Sequence, residues 1–194
     1  VLQRPLEEGA DVVLYSATKY LGGHSDLIAG GASGSAEVMG RVKEFRTFLG
    51  GMLDPHSAWM LARSMETLHV RVERQQENAG HLLAHLRELC GPEAIRSAWK
   101  EDLTTMGEDI SIAEQQQRGG GSMIGLTVPG GREGAFAFLD ALTVFKLAVS
   151  LGSTESLAEH PASMTHAGVP AEAKIRMGIT EGFVRLSVGL EHPE

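Results

Sequence analysis

Two hydroxyls and an amine fall within four residues at Ser16-Ala17-Thr18-Lys19, inside the stretch DVVLYSATKYLGGHSD from Asp11 to Asp26. One chemistry for such a tetrad is a Ser-x-x-Lys nucleophile with its activating amine, as in penicillin-recognising acyl enzymes. That use calls for Ser-Asp-Asn and Lys-Thr-Gly partners, but the chain offers Ser25-Asp26-Leu27 and no Lys-Thr-Gly. It also needs the motif to open a helix, whereas here the motif closes an apolar run and meets Gly22-Gly23. A second chemistry is capture of an aldehyde cofactor that carries a phosphate. Lys19 would then reach the aldehyde carbon, and Ser16 and Thr18 the phosphate oxygens. In extended chain the period of two points both hydroxyls the same way. A P-loop is excluded, because no Gly-x4-Gly-Lys-Ser/Thr is present. On the tetrad alone a solvated loop lysine stands ahead of both chemistries.

The elements that must position these residues alternate between strand and helix. DVVLY (11–15) reads as a buried strand, and LIAGGA (27–32) as a second short strand with close backbone approach at its glycines. Residues 35–49 read as a helix stopped by Gly50-Gly51. Residues 54–92 read as one long helix, N-capped by Asp54, with Pro55 in its first turn and Gly91-Pro92 at its end. Leu61, Met65, Leu68 and Val72 follow a 4-3-4 spacing, and the expectation for so long a helix is a bend near Asn78–Gly80 or a bridge between two domains. The polar stretch from Ala98 to Gly121 is expected to be a long excursion with one short helix. Beyond it come a strand (122–128), a helix (131–142), a strand (145–151), a short helix (170–178) and a strand (182–191). In the last, Val184, Leu186, Val188 and Leu190 share one face, and Phe183, Arg185, Ser187 and Gly189 the other. The class is α/β or α+β.

Bulk properties exclude several functions. The 194 residues suffice for one large domain or two small ones, and 42% apolar with 22% charged residues is an ordinary soluble balance. A net charge of −8 argues against nucleic acid or an anionic membrane as the main partner. No apolar run approaches the roughly 20 residues that span a bilayer. Cys90 is the single cysteine, so no internal disulfide forms; a reducing, cytoplasmic compartment is expected, with Cys90 packed as a small hydrophobe. His160 and His166 lack the further ligands that a zinc site needs, so no metal is expected. The chain opens on Val1 rather than Met, and a processed or truncated chain is expected.

Three blocks settle the choice left open at the tetrad. SATKYLGGHSDLIAGG resembles the lysine segment of the Cys/Met-metabolism family of pyridoxal-phosphate enzymes. AVSLGSTESLAEHPASMTHAGVP (148–170) resembles that family's substrate-site segment, and GITEGFVRLSVGLE (178–191) its carboxylate-binding strand. LQRPLEEGAD resembles its lead-in to the lysine. The resemblance implies the fold type I, pyridoxal-phosphate-dependent transferase-like α/β architecture. Residues 1–75 would be the end of the large cofactor domain and residues 76–194 the small C-terminal domain without its last helix. It implies pyridoxal 5′-phosphate as cofactor, Lys19 as its Schiff-base residue, Ser16 and Thr18 as phosphate ligands, and Arg185 as partner of the substrate carboxylate. The planar guanidinium fork suits that last role. Ser150 would stand beside the substrate.

Val149 occupies the position where cystathionine-handling members commonly carry a glutamate, which could hold a distal ammonium. A valine suits a short apolar tail, so the resemblance implies a methionine γ-lyase-like γ-elimination, releasing a thiol, ammonia and a 2-oxo acid. Cystathionine γ-synthase, cystathionine γ-lyase and O-acylhomoserine sulfhydrylase activities are the alternatives, and a non-catalytic assembly partner is the alternative of another class. The family's phosphate loop, ring-stacking tyrosine, and aspartate for the pyridine nitrogen lie upstream of the matching blocks. The expectation is therefore a later-half piece that is inactive alone, completed by an N-terminal half or companion chain, and assembled as a homotetramer built from dimers.

Overall fold

The computed structural model describes residues 1–193. Two regions follow one another along the chain. The first begins with an antiparallel ribbon of β1 (Val12–Ser16) and β2 (Gly30–Gly34), in a register that pairs Val12 with Gly34 and Ser16 with Gly30. Between the strands lies one tight turn of π-helix, Ala17–Leu21. Helix α1 (Ala36–Leu49) follows, N-capped by Ser35, whose Oγ accepts from the Val38 amide at 3.3 Å; it ends where Gly50 turns left-handed at φ +77°. Asp54 caps α2 (Pro55–Met65) in the same manner, accepting from the Ser57 amide at 3.0 Å.

The expected single helix over 54–92 is two helices, and the break lies at Glu66–Thr67, not at Asn78–Gly80. The carbonyl of Ser64 explains the position. It accepts from the Thr67 amide (3.3 Å), the Thr67 hydroxyl (3.2 Å) and Arg71 Nη2 (2.9 Å). Those bonds replace the next turn of the helical ladder. Helix α3 (Leu68–Cys90) then runs unbroken through residue 75. Asn78 and Gly80 stay helical because tertiary contacts hold them: the Asn78 amide donates to the carbonyls of Gly189 and Glu191, and Gly80 lies against Trp99.

The second region is a five-stranded sheet of order β3-β4-β7-β6-β5, formed by Ile95–Ser97, Met123–Thr127, Phe183–Ser187, Leu157–Glu159 and Lys146–Leu147 respectively. Every pairing is antiparallel except β5 with β6. Ile95, Leu126 and Val184 stand in one cross-strand row, and Ile124, Leu186 and Ala158 in the next. Both rows pack against Ala79, Leu83 and Leu86 of α3 and Ala135 and Leu139 of α6 (Gly131–Ala141). The alternation along residues 183–188 thus sorts core from site. The excursion over 98–121 contains two short helices, α4 (Lys100–Thr105) and α5 (Ser111–Gln116), and α7 (Ala171–Arg176) precedes β7.

Three further expectations need correction. β1 is not buried: Leu14 is 79% exposed. Cys90 is exposed as the last residue of α3, because the helix's buried stripe leaves the core after Leu86. The strand expected at 145–151 stops at Leu147, since the carbonyls of Val149 and Ser150 turn to Arg185 instead of a neighbouring strand. Among the described residues no helix is long and apolar enough to cross a membrane.

Candidate active site

The extended chain ends at Ser16, so the common direction expected for the Ser16 and Thr18 hydroxyls does not arise; the π turn separates them. Ser16 is exposed. Thr18 Oγ1 donates to the carbonyl of Ala29 (3.3 Å) and accepts from its amide (3.0 Å), which fastens the turn to the start of β2. Lys19 breaks the turn's regularity with φ −89° and ψ −126°. Its ammonium donates to Ser150 Oγ at 3.2 Å, across 131 positions of sequence.

The glycine pair after the lysine has a specific job. Gly23 sits at φ +72°, and a Cβ there would collide with the guanidinium of Arg71. Arg71, only 4% exposed, needs that space. It donates to the carbonyls of Tyr20 (2.9 Å) and Leu21 (3.4 Å), the two residues after Lys19. One turn further along α3, Gln75 donates to the Ser153 carbonyl at 2.6 Å. Asn78 holds the carbonyls of Gly189 (3.1 Å) and Glu191 (2.8 Å) beyond β7. A buried polar stripe at 71, 75 and 78 therefore ties down the segments that carry Lys19, Ser150 and Arg185 in turn. The spacing of four and three was visible in the sequence, but these polar types on a helix read as a solvated face.

Arg185 lies on the sheet face opposite the core. Its Nη2 donates to the carbonyls of Ser150 (2.8 Å) and Val149 (3.2 Å), and its Nη1 pairs with Glu159 Oε1 at 2.8 Å. Ser187, next but one along β7, accepts from the Gly152 amide at 2.9 Å and fixes the same loop from beneath. Lys19, Ser150 and Arg185 are thus brought together around the 149–152 loop. Val149 contributes its carbonyl inward while its side chain is exposed. Ser16 lies just before the π turn, and Thr18 lies within it next to Lys19, with its hydroxyl turned to Ala29.

Tyr20, adjacent to the lysine, was not singled out from the sequence. Its phenol shares a 2.8 Å hydrogen bond with Ser122 Oγ, and burial raises its pKa above the usual value, against smaller opposing effects of Ser122 and the Arg185 charge. Tyr20, Phe183, Gly125, Arg96 and Arg185 help line a largely apolar cavity of about 780 Å³. Lys19 and Ser150 lie outside that lining. Among the described residues no His/Cys/Asp/Glu group is arranged to hold a metal.

A mixed sheet backed by helices, with a lysine on a tight turn and an arginine on the sheet face away from the core, defines the class: an α/β module that brings an amine and a guanidinium to one loop. Solved structures of that class superpose on it closely. Cystathionine gamma-lyase from Lactobacillus plantarum, complexed with L-serine, matches with a TM-score of 0.87 at 36% identity, over 99% of this chain and 49% of that one. Cystathionine gamma synthase from Xanthomonas oryzae pv. oryzae, in complex with aminoacrylate and cysteine, matches with a TM-score of 0.87 at 37% identity, over 99% and 49%. The Cys/Met metabolism PLP-dependent enzyme family model matches residues 1–194, and the chain belongs to that family. Its cofactor is pyridoxal 5′-phosphate. L-methionine gamma-lyase of Pseudomonas putida is 43% identical over 192 residues, which is 98% of this chain and 47% of the relative. Cystathionine gamma-lyase of Bacillus subtilis (strain 168) is 39% identical, over 99% of this chain and 50% of the relative. The chain spans about half the length of the curated relatives it matches.

The residues present fit the aldehyde end of that cofactor. Lys19 offers a primary amine, presented by a kinked turn and held by a single neutral hydroxyl that a ligand can displace. For the phosphate, Ser16 is the exposed hydroxyl just before the turn, and Thr18 would donate outward only by giving up the longer of its two Ala29 bonds.

Proposed function

We propose that this chain carries the lysine and substrate-carboxylate elements of an enzyme that eliminates the γ-substituent of a sulfur amino acid, with methionine as the leading substrate. Pyridoxal 5′-phosphate, when bound, supplies an aldehyde for amines and a ring that withdraws electrons. The single observation that carries the reading is the linkage through Ser150: its hydroxyl accepts from Lys19 Nζ (3.2 Å) and its carbonyl from Arg185 Nη2 (2.8 Å). One residue therefore sets the spacing between the amine that moves a proton and the fork that fixes the substrate.

In this reading Arg185 holds the α-carboxylate, and Lys19 Nζ takes the α-proton, at a distance fixed by Ser150. Ser16 binds phosphate, joined by Thr18. Val149, exposed and apolar beside the loop, leaves the far end of the substrate without a charged partner, which favours a thioether over the distal ammonium of cystathionine. We place the division between cofactor domain and small domain inside α3, whose polar stripe serves both. A companion half supplies the remaining cofactor contacts, and the assembly is a homotetramer built from dimers.

Mixing the purified chain with pyridoxal 5′-phosphate should give a visible absorption band that Lys19→Ala abolishes; an unchanged band in the variant refutes the lysine assignment. The chain alone should fail to consume methionine, and robust turnover would refute the need for a companion half. With the complete protein, methionine, cystathionine, homocysteine and O-acetylhomoserine should separate the activities. Fastest thiol release from methionine supports γ-elimination, whereas thiol incorporation from O-acetylhomoserine would reassign the chain to γ-replacement.

A further inference from the structure

The sheet face that bears Arg185 also bears an acid to which the proposed reaction gives no role. Across the strands, Arg96, Gly125, Arg185 and Glu159 stand in one row. Glu159 is completely buried. Its Oε1 accepts from Arg185 Nη1 (2.8 Å) and from Thr165 Oγ1 (3.0 Å), while its Oε2 has no hydrogen-bond partner. On the arginine, Nη2 is engaged by the carbonyls of Val149 and Ser150, and Nε is buried without a partner. The guanidinium is thus held from two sides by the chain itself, and its charge is already matched by a full carboxylate.

We propose that Glu159 is a positioning residue that fixes the Arg185 fork and, by neutralising it, tunes the site for a zwitterion over a simple anion. The inference rests on the reading of Arg185 as the substrate's carboxylate partner. An incoming carboxylate must share one guanidinium with a second carboxylate, and two like charges on one cation repel. A ligand that brings its own ammonium recovers that loss, because the buried negative charge attracts the ammonium while the fork holds the acid. The unpartnered Oε2 and Nε are the polar atoms left over on each member of the pair. Thr165 keeps the acid from rotating away.

L-Alanine and propionate differ by the α-ammonium and are the matched probes. Binding to the 194-residue chain without cofactor is read from the ¹⁵N–¹H backbone amide resonances of Ser150 and Gly152, which every variant retains and which lie in the loop that Arg185 and Ser187 hold. In the wild type, L-alanine should bind at least as tightly as propionate; a clear preference for propionate overturns the proposal without any variant. Glu159→Gln keeps the volume and one acceptor oxygen but removes the charge. It should tighten propionate by about tenfold, the size expected for one unit charge at a partly screened distance, and tighten L-alanine less. Unchanged or weakened propionate binding by a folded Glu159→Gln chain overturns it. Arg185→Lys separates the two readings. If it binds both probes as the wild type does, Arg185 is not the carboxylate site and the functional reading fails with the inference. If it loses both probes while Glu159→Gln leaves propionate unmoved, only the Glu159 inference fails.

Discussion

The lysine-bearing region and the sheet region are held by different physics. In the sheet region twelve buried hydrophobic residues form one cluster, eleven from α3, α6 and four of the strands and Val188 just past β7. Before residue 68 only Ala17 and Leu27 are buried hydrophobics, and neither α1 nor α2 buries a residue. There Leu14 is 79% and Ile28 87% exposed. What orders the lysine turn is a set of directional bonds: Thr18 to Ala29, Arg71 to Tyr20 and Leu21, and the Thr154 amide to the Gly23 carbonyl at 2.9 Å. Burial gives stability without direction, whereas hydrogen bonds to carbonyls fix where an amine points. A reactive lysine that must meet a hydroxyl across 131 positions of sequence needs the second kind of hold.

The largest expected effect tests the burial side. Leu83 is completely buried at the centre of the cluster, and Leu83→Ala should cost about 2–5 kcal/mol in urea unfolding; a loss below about 1 kcal/mol would show that the cluster is not what holds the sheet region. Next is Arg71→Met, which removes a charged donor from three carbonyls and should cost about 2–3 kcal/mol. Its sharper signature is regional: amide exchange should quicken at residues 17–23 while β4 and β7 keep their protection. Equal quickening in both regions would erase the distinction between them.

Tyr20 lies on the seam, bonded to Ser122 across 102 positions. Its phenol is raised above 10.0, chiefly by burial, so the neutral form is favoured in the folded chain. The stabilisation it gives is fully present below the unfolded value and is lost as pH rises through the higher folded value. As pH rises above 10 the wild type should therefore lose more stability in urea unfolding than Tyr20→Phe does. Equal losses would remove the phenol from the seam. The smallest effect is expected for Leu14→Ser on the exposed strand, within about 0.5 kcal/mol. A larger loss would mean that the lysine ribbon depends on burial after all.

How much of this was legible beforehand follows the range of the interactions. The cap at Asp54, the stop at Gly50 and the alternation in β7 depend on residues within four positions of one another, and each was readable. The helix break escaped, because a bond from Arg71 to Ser64 ends α2 and nothing in the apolar spacing signals it. Cys90 escaped because helical periodicity places a residue on a face without saying whether anything covers that face. Glu159 was not singled out within the 148–170 block; only its strand register with Arg185 sets it apart.

The sequence by itself determined the reactive types and their local frame: a lysine on a turn between two short strands, an arginine on the face of its strand away from the core, and the family whose blocks these are. The tertiary structure alone decided that Lys19 meets Ser150, that Ser150 meets Arg185, that Glu159 neutralises that arginine, and that Arg71, Gln75 and Asn78 tie the three segments to one helix. The reason is physical. Local order is set by backbone sterics and capping bonds a few residues apart, whereas those pairings join segments whose separation in sequence says nothing about which donor will find which acceptor once the core has closed.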